Sequence, residues 1–412
     1  MTDSAGPGGA TPLDPPEAGP GGAAPLDPPE GIIAVTMPKW GLSMQLGKIT
    51  EWMVAEGDEV RVGDDVADIE TDKIAGTLEA ASAGTVRRLV AQLGEDVPVS
   101  GTIALLTAGE VDEEELDAAV AQARAVIEAG APQDAAGAPV VEAAQSGGRK
   151  ISYAGVGTEG DVVLLIHGYG GDRNSWLFVQ QPLAESARVY ALDLPGHGTS
   201  SKDVGDGSLE VLADAVTSVL DAIGVGHAGP AGRAHLVGHS LGSAVAVAVA
   251  ARDPGRIASL TLIAPAGFGP GIDAGYVRGF AAAKTRRELR PLVGRLFADE
   301  GLVTRQVVDD LLAYKRLDGV DAALETLTGT LLDGEQQRIG ADSTLAALGG
   351  TIPVTVIWGA QDQIIPAGQA ESVPGASRQV VAGAGHMVHM EKPSEVLAGI
   401  RAAMAAGNTK GG

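Results

Sequence analysis

From about residue 150 onward, short apolar runs recur in this 412-residue chain, and segments of helix length separate them. A strand that is apolar without alternation is buried on both faces, which is typical of a mainly parallel sheet covered by helices. Functional groups in such sheets lie beyond the carboxyl ends of the strands. The pattern predicts an α/β domain over residues 150–407, with strands at Val162–Ile166, Val189–Leu192, Leu236–Gly238, Leu260–Ile263, Val354–Ile357 and Gln379–Val381.

Three polar side chains lie just past predicted strands, and they are Ser240, Asp362 and His386. Ser240 stands between Gly238 and Gly242, at a junction between a strand and a helix-forming run. A serine on such a sharp turn needs small residues two positions away on each side, because a Cβ there would collide with the adjoining strand and helix. The spacing indicates a Ser-His-Asp acyl-transfer site.

Two main-chain amides are candidates for an oxyanion hole. Leu241 begins the helix after Ser240, where free N–H groups favour a developing negative charge. Tyr169 follows the first strand of the predicted sheet, in His167-Gly168-Tyr169. We expect the amides of Tyr169 and Leu241 to act together.

Five motifs in this order, IHGYGG, LDLPGHGTS, VGHSLG, WGAQDQIIP and GAGHMVHMEKP, resemble the α/β-hydrolase family. The resemblance covers nearly all of residues 150–407. It implies that Ser240 is the nucleophile, His386 the general base and then acid, and Asp362 the group that fixes the imidazole tautomer. It also implies a helical cap over about residues 266–348.

The other histidines of this region receive a structural interpretation, since they lie in loop motifs, beside the nucleophile or in a strand: His167, His197, His235 and His239. His386, His389 and Glu391 do not have the spacing of a known zinc helix. We therefore expect no metal site.

An internal repeat with an offset of 37 residues marks a small all-β domain over residues 32–108. The repeat matches glycines and apolar positions in pairs, such as Gly57 with Gly94 and Ile49 with Val86. Each half would leave an apolar face exposed, so the repeat predicts two similar sheets related by a pseudo-two-fold axis.

Lys73 lies at the joint between the two repeats, in the sequence ETDKI, and an exposed lysine on a tight hairpin is suited to enzymatic modification. With MPKWGLSM upstream, residues 32–108 resemble the lipoyl domains of 2-oxo-acid dehydrogenase acyltransferases, which form flattened barrels. The resemblance implies that Lys73 carries lipoate. Biotin is the alternative for such a hairpin, but Asp72 and Ile74 stand where the biotin domains typically have methionines.

The remaining segments connect or end these domains. Residues 1–31 hold a tandem repeat rich in Pro and Gly and are predicted to be a disordered tail, and residues 408–412 are a short tail at the other end. Residues 109–149 are predicted to form an acidic helix followed by a flexible linker.

Composition excludes several functions. A formal charge of −24 disfavours nucleic acids and acidic membranes as partners. The chain has no cysteine, so any thiol chemistry must come from a cofactor. The N-terminal residues lack the pattern of a secretion signal and no apolar stretch is long enough to span a membrane, which favours a soluble cytoplasmic protein.

The combination of domains resembles the acyltransferase component of acetoin dehydrogenase complexes. It implies transfer of an acetyl group from S-acetyl-dihydrolipoyl-Lys73 to coenzyme A through Ser240, with a thiamine-diphosphate-dependent dehydrogenase and a dihydrolipoamide dehydrogenase as partner subunits. Arg287 and Arg290, in a basic cluster of the cap, are candidates for contacts to the phosphates of coenzyme A, the alternative being a solvated helix face. Two other functions stay open: an ester or C–C bond hydrolase tethered by its lipoyl domain, and a lipoyl carrier with a vestigial triad.

Overall fold

The computed structural model describes residues 31–38, 46–70, 75–99, 101–109, 111–129, 140–226, 232–303 and 305–409. The chain divides into two compact units, and the described residues up to Ala129 lie in the first and those from Val140 in the second. None of the helices in these ranges is long and apolar enough to cross a membrane.

The first unit is built from short antiparallel strands and one helix. Its elements are β1 (Ile32–Thr36), β2 (Leu46–Trp52), β3 (Glu59–Val60), β4 (Asp65–Glu70), β5 (Ala75–Glu79), β6 (Gly84–Leu89), β7 (Asp96–Pro98), β8 (Thr102–Thr107) and α1 (Glu113–Ala129). The strands form two four-stranded sheets, ordered β1-β8-β6-β3 and β5-β4-β2-β7.

The two sheets confirm the predicted internal symmetry. Exchanging β1 with β5, β8 with β4, β6 with β2 and β3 with β7 converts one strand order into the other. A hydrogen bond from Gly57 N to Val86 O (2.7 Å) has its counterpart 37 residues along the repeat, from Gly94 N to Ile49 O (2.8 Å). The two halves thus hydrogen-bond to each other in the same way, and Ile49 and Val86 are both buried in their shared core.

Helix α1 corrects the predicted boundary of the first domain. The segment was assigned to a connection over 109–149, but Leu116, Ala119, Ala123 and Ile127 are buried in the core of the first unit. These residues recur every three or four positions, so one apolar face of the helix packs on the sheets. The helix is therefore part of the small domain.

The second unit contains an eight-stranded sheet, ordered β18-β17-β14-β13-β11-β12-β10-β9. Its strands are β9 (Val140–Ser146), β10 (Arg149–Val156), β11 (Asp161–Ile166), β12 (Ala187–Leu192), β13 (Ala234–His239), β14 (Ile257–Ile263), β17 (Val354–Gly359) and β18 (Ser377–Val381). The six strands from β11 onward pair in parallel, as predicted, and β10 pairs antiparallel with β12. Helices α2 (Leu177–Ala184), α3 (Leu209–Ala222), α4 (Leu241–Arg252), α10 (Val388–Glu391) and α11 (Pro393–Thr409) accompany this sheet.

Strands β9 and β10 were missed in the sequence. The sheet starts at Val140, ten residues before the expected boundary at 150, because β9 pairs along its length with β10. Gly147 and Gly148, with φ of 54° and 80°, join the two strands. A Gly-Gly pair between strand-forming runs is a hairpin signal, and the linker prediction overlooked it. At the other end, α11 continues to Thr409, into the predicted tail.

A further group of helices lies in the chain between β14 and β17, in the interval predicted for the cap, and it shares the core of the second unit. Its elements are α5 (Ala274–Ala282), α6 (Arg286–Gly294), α7 (Arg305–Lys315), α8 (Val320–Leu331), β15 (Leu332–Asp333), β16 (Gln336–Gln337) and α9 (Ala341–Ala347).

Candidate active site

Ser240 occupies the turn between β13 and α4. Its φ of 52° and ψ of −117° are rare for a residue with a side chain. Ser240 N donates to Ile263 O (2.9 Å), and Ser240 O accepts from Ala266 N (3.2 Å). A conformation of this kind costs about 1–3 kcal/mol and persists where the surroundings fix it. The strained turn holds Ser240 at the carboxyl end of β13.

The flanking glycines are required by close packing, as the sequence predicted. A Cβ on Gly238 would lie 2.5 Å from Gly242 O, and a Cβ on Gly242 would lie 2.3 Å from Ile166 O. Neither position has room for a side chain. The α4 backbone can therefore pass directly over the ends of β11 and β13.

His386 and Asp362 form a buried pair. His386 Nδ1 lies 2.8 Å from Asp362 Oδ2, and the Asp362 side chain is 0% exposed. Asp362 Oδ1 accepts from the amides of Ile364 (2.8 Å) and Ile365 (2.9 Å), while Trp358 Nε1 donates to Oδ2 (3.0 Å). These bonds fix the carboxylate so that it accepts the Nδ1 proton, which leaves Nε2 as the basic nitrogen.

The residue beside Ser240 brings this pair to the Ser240 turn. His239 Nε2 lies 3.0 Å from His386 O, where it donates a hydrogen bond, and the two rings are 4.7 Å apart between centroids. Ser240, Asp362 and His386 thus lie at the same edge of the sheet, past the carboxyl ends of β13, β17 and β18. Trp358, which orients Asp362, was not a sequence candidate, although it stands in the same WGAQDQ motif.

The two predicted oxyanion donors lie on adjoining segments. Leu241 is the first residue of α4 and Tyr169 follows β11. Between them, Gly168 lies so close to the turn that a Cβ there would be 3.0 Å from Ser240 Cβ. The Tyr169 hydroxyl contacts Thr328 Oγ1 (2.9 Å) of cap helix α8, and burial raises the pKa of this phenol. The protonated tyrosine therefore links the segment after β11 to α8.

Two of the other histidines brace loops around the site. His167 Nδ1 donates to the carbonyl of the next residue (2.7 Å) and Nε2 accepts from Leu194 N (2.9 Å). His197 donates to Pro195 O (3.0 Å) and accepts from Gly170 N (3.0 Å). Burial lowers the pKa of both rings. Each is a neutral imidazole with both nitrogens used structurally.

His389 and His239 pack behind His386. The His389 ring lies 4.6 Å from the ring of Trp176 and 4.6 Å from that of His239. Burial lowers the pKa of His389 to about 3 and holds that of His239 well below its usual range. His235 lies in β13, with Nδ1 2.8 Å from Ser259 Oγ. These contacts are those of core residues.

The basic cluster of the cap is mostly neutralised by acids. Lys284 pairs with Asp321, Arg286 binds Asp309 through two bonds of 2.6 Å, and Arg295 pairs with Asp273 (3.0 Å). Arg287 and Arg290 are exposed on α6, and in the described ranges no acid pairs with either of them.

Lys73 lies outside the described residues, as do all of residues 71–74. The strands on either side of it are antiparallel neighbours, and Glu70 at the end of β4 pairs with Ala75 at the start of β5. The strand ends that flank Lys73 therefore meet at one end of their sheet, which fits a lysine that presents a covalent cofactor.

Comparison with known proteins agrees with this division. A family model described as the alpha/beta hydrolase fold matches residues 161–393, and one described as biotin-requiring enzyme matches residues 33–106. Among solved structures, a meta-cleavage product hydrolase from Pseudomonas fluorescens IP01 superposes with a TM-score of 0.56 at 23% identity, over 65% of this chain and 97% of that one. This likeness shows the fold of the second domain.

Two relatives extend over both domains. The dihydrolipoyllysine-residue acetyltransferase component of acetoin cleaving system from Pseudomonas putida is 46% identical over 89% of this chain and 96% of its own length. The protein of the same name from Cupriavidus necator is 46% identical over 88% of this chain and 95% of its own. The chain therefore belongs to the family of dihydrolipoyllysine-residue acetyltransferase components of acetoin cleaving systems, enzymes that join a lipoyl-type domain to an α/β hydrolase fold.

Proposed function

We propose that this enzyme transfers an acetyl group from S-acetyl-dihydrolipoyl-Lys73 to coenzyme A through an acyl-enzyme on Ser240. The observation that carries the proposal is the buried His386–Asp362 pair beside the strained Ser240 turn, in a cysteine-free chain that also contains a lipoyl-type domain. Lipoate on Lys73 supplies the thiol that the polypeptide lacks. The paired ends of β4 and β5 support Lys73 as its attachment point.

In the first half-reaction, His386 Nε2 removes the Ser240 hydroxyl proton as Oγ attacks the carbonyl carbon of the incoming thioester. The oxygen gains negative charge, which the amides of Tyr169 and Leu241 stabilise. The C–S bond then breaks, His386 returns its proton to the departing thiolate, and Ser240 holds the acetyl group as an ester.

The second half-reaction reverses these roles. His386 takes the proton of the coenzyme A thiol, and the thiolate attacks the Ser240 ester. The C–O bond breaks and Ser240 Oγ recovers the proton from His386. Acetyl-CoA leaves, and the enzyme returns to its starting protonation state. Asp362 stabilises the imidazolium that forms in each half.

Coenzyme A is the proposed acceptor, and its phosphates would bind Arg287 and Arg290. Among the residues that the structure describes, neither side chain has an acidic partner, whereas the neighbouring cations are paired with acids. On the same helix, Pro291 and Leu292 line a groove of about 490 Å³, whose other wall is formed by Gly279 and Ala282 of α5, and Glu288 and Arg295 are its charged lining residues. A groove with apolar walls suits the pantetheine arm, and exposed arginines suit the phosphates.

The relatives are named as components of acetoin cleaving systems, so this enzyme is expected to act together with other subunits. We propose that a thiamine-diphosphate-dependent dehydrogenase acetylates the Lys73 arm and that a dihydrolipoamide dehydrogenase reoxidises it. The lipoyl domain would then serve as the mobile carrier between these sites and Ser240, and tethering raises the effective concentration of the donor.

The products formed from acetyl-dihydrolipoamide and coenzyme A test the proposal. Acetyl-CoA formation by the purified, lipoylated chain is the expected result, with the matched Ser240→Ala variant inactive. Acetate without acetyl-CoA would instead identify a tethered hydrolase. Neither product would identify a lipoyl carrier, and either of these two outcomes would overturn the proposed transfer.

The acceptor site has its own test. Replacing Arg287 and Arg290 together by Glu should raise the KM for coenzyme A by about tenfold or more, because two charge-assisted contacts are lost. The control is Arg278→Glu, since Arg278 is already paired with Glu335 (2.7 Å). An unchanged KM for coenzyme A in the double variant would remove these arginines from the site.

A further inference from the structure

Glu391 joins the cap to the segment that carries His386. One carboxylate oxygen, Oε2, accepts from Gly385 N (2.6 Å), in the residue that precedes His386. The other, Oε1, accepts from Ala298 N (2.7 Å) and Asp299 N (3.3 Å), which follow cap helix α6. A single side chain therefore holds two segments that are far apart in sequence.

The two segments also touch directly. Met387 N donates to Leu296 O (3.0 Å). The main-chain amides on both sides of His386, those of Gly385 and Met387, are therefore hydrogen-bonded within this contact. A Cβ on Gly385 would lie 2.8 Å from both Ala298 N and Leu296 O. We call residues 295–299 and 385–391 the cap junction. It leaves no room for the His386 segment to shift toward the cap.

The cap junction is also tied to the Asp362 segment. Arg295 pairs with Asp273 (3.0 Å), and Asp273 N donates to Ile364 O (2.7 Å). Ile364 N in turn donates to Asp362 Oδ1 (2.8 Å). Both members of the His–Asp pair are thus braced against the segment that follows α6.

We infer that Glu391 is a positioning residue, which sets the place of the His386 ring relative to Ser240 through Gly385 and the cap. The inference rests on the proposed role of His386 as general base. Both oxygens must act as acceptors at once, which a carboxylate can do and a carboxamide cannot, because an amide NH₂ would face a main-chain N–H. A displacement of about 1 Å in such a group costs about 10²-fold in rate.

The test is the pre-steady-state burst of the full chain with p-nitrophenyl acetate. The burst amplitude counts competent sites, and its rate constant measures attack by Ser240. In Glu391→Gln we expect the rate constant to fall about 10- to 100-fold per competent site, with kcat reduced and the KM for the ester nearly unchanged. The matched control is Glu395→Gln, an exposed acid in the first turn of α11, which should keep the parent rate.

Two further variants perturb the same junction in different ways. Glu391→Asp keeps the charge but is one methylene too short to reach both segments, and Gly385→Ala forces the junction apart while Glu391 is intact. Each folded variant should show the same slowed burst. An unchanged rate constant in any folded variant would overturn the inference, as would a loss of amplitude in proportion to unfolded protein with no change in rate.

Ser240→Ala separates this inference from the proposed function. Loss of the burst in Ser240→Ala, with a parent rate in the Glu391 variants, would overturn the positioning role and leave the triad intact. A burst that persists in Ser240→Ala would overturn the triad itself.

Discussion

The two domains place their functional residues in opposite settings. In the small domain, Lys73 belongs to the connection between strands whose ends pair at Glu70 and Ala75, at one end of their sheet. In the large domain, Ser240 is 8% exposed and sits in a strained turn closed in by backbone atoms. A carrier must reach other sites, whereas a nucleophile must be held in place. Under the proposed function, the small domain supplies the reach of the carrier and the large domain supplies the fixed nucleophile.

The largest expected effects come from two variants, each of which should remove the function of one domain and leave that of the other. Ser240→Ala should reduce transfer from free acetyl-dihydrolipoamide to coenzyme A by at least about 10³-fold, because the nucleophile is lost. The same variant should still accept acetyl on Lys73-bound lipoate from the partner dehydrogenase. Lys73→Arg should do the reverse, with no lipoylation and no activity in the coupled complex but parent transfer from the free donor. Loss of both activities in either variant would contradict the separation.

Acid should destabilise the large domain more than the small domain, because all seven histidines lie at or after His167. This is the next largest expected effect. The pKa of His389 is lowered to about 3, and burial also lowers the pKa values of His167, His197 and His239. Well above pH 6.5 these rings are neutral in both folded and unfolded chains. As the pH falls below 6.5 the unfolded chain binds protons first, so the large domain loses about 1.4 kcal/mol per pH unit for each ring that stays neutral.

Calorimetry at pH 7 and pH 5.5 measures this effect. The unfolding transition of the large domain should move to lower temperature, while that of the small domain stays within a few degrees. His389→Gln should reduce the shift of the large domain. Equal shifts of both transitions would contradict the assignment to the buried histidines.

The smallest effect tests the symmetry of the small domain. Gly57 and Gly94 have φ of 99° and 77°, and no atom lies within 4 Å of a Cβ built on either one. Alanine at each position should therefore cost about 1 kcal/mol through backbone strain, and the two costs should match. Hydrogen exchange of the β2 and β6 amides in the full chain measures them. A cost at one position and none at the other would contradict the two-fold equivalence.

The sequence predicted the structure best where a local pattern has a direct physical cause. Gly238 and Gly242 mark the Ser240 turn because no Cβ fits there, and the paired glycines of the repeat mark the two sheets. The parallel strands from β11 onward followed from continuous apolar runs.

Long-range packing explains what the sequence did not predict. Strand β9 is an exception, because Gly147 and Gly148 give a local hairpin signal that the linker prediction overlooked. The role of Glu391 depends on amides of Ala298 and Gly385, and no spacing along the chain indicates that these approach each other. Trp358 differs, since its place four residues before Asp362 could have suggested the contact.

The most direct test of the central claim is to trap the acyl-enzyme. The lipoylated chain is mixed with acetyl-dihydrolipoamide without coenzyme A, quenched rapidly, digested and mapped by mass spectrometry. The account predicts acetyl on the peptide that contains Ser240, which disappears on addition of coenzyme A as an equal amount of acetyl-CoA forms. Formation of acetyl-CoA with no acetyl on Ser240 at any time would contradict it.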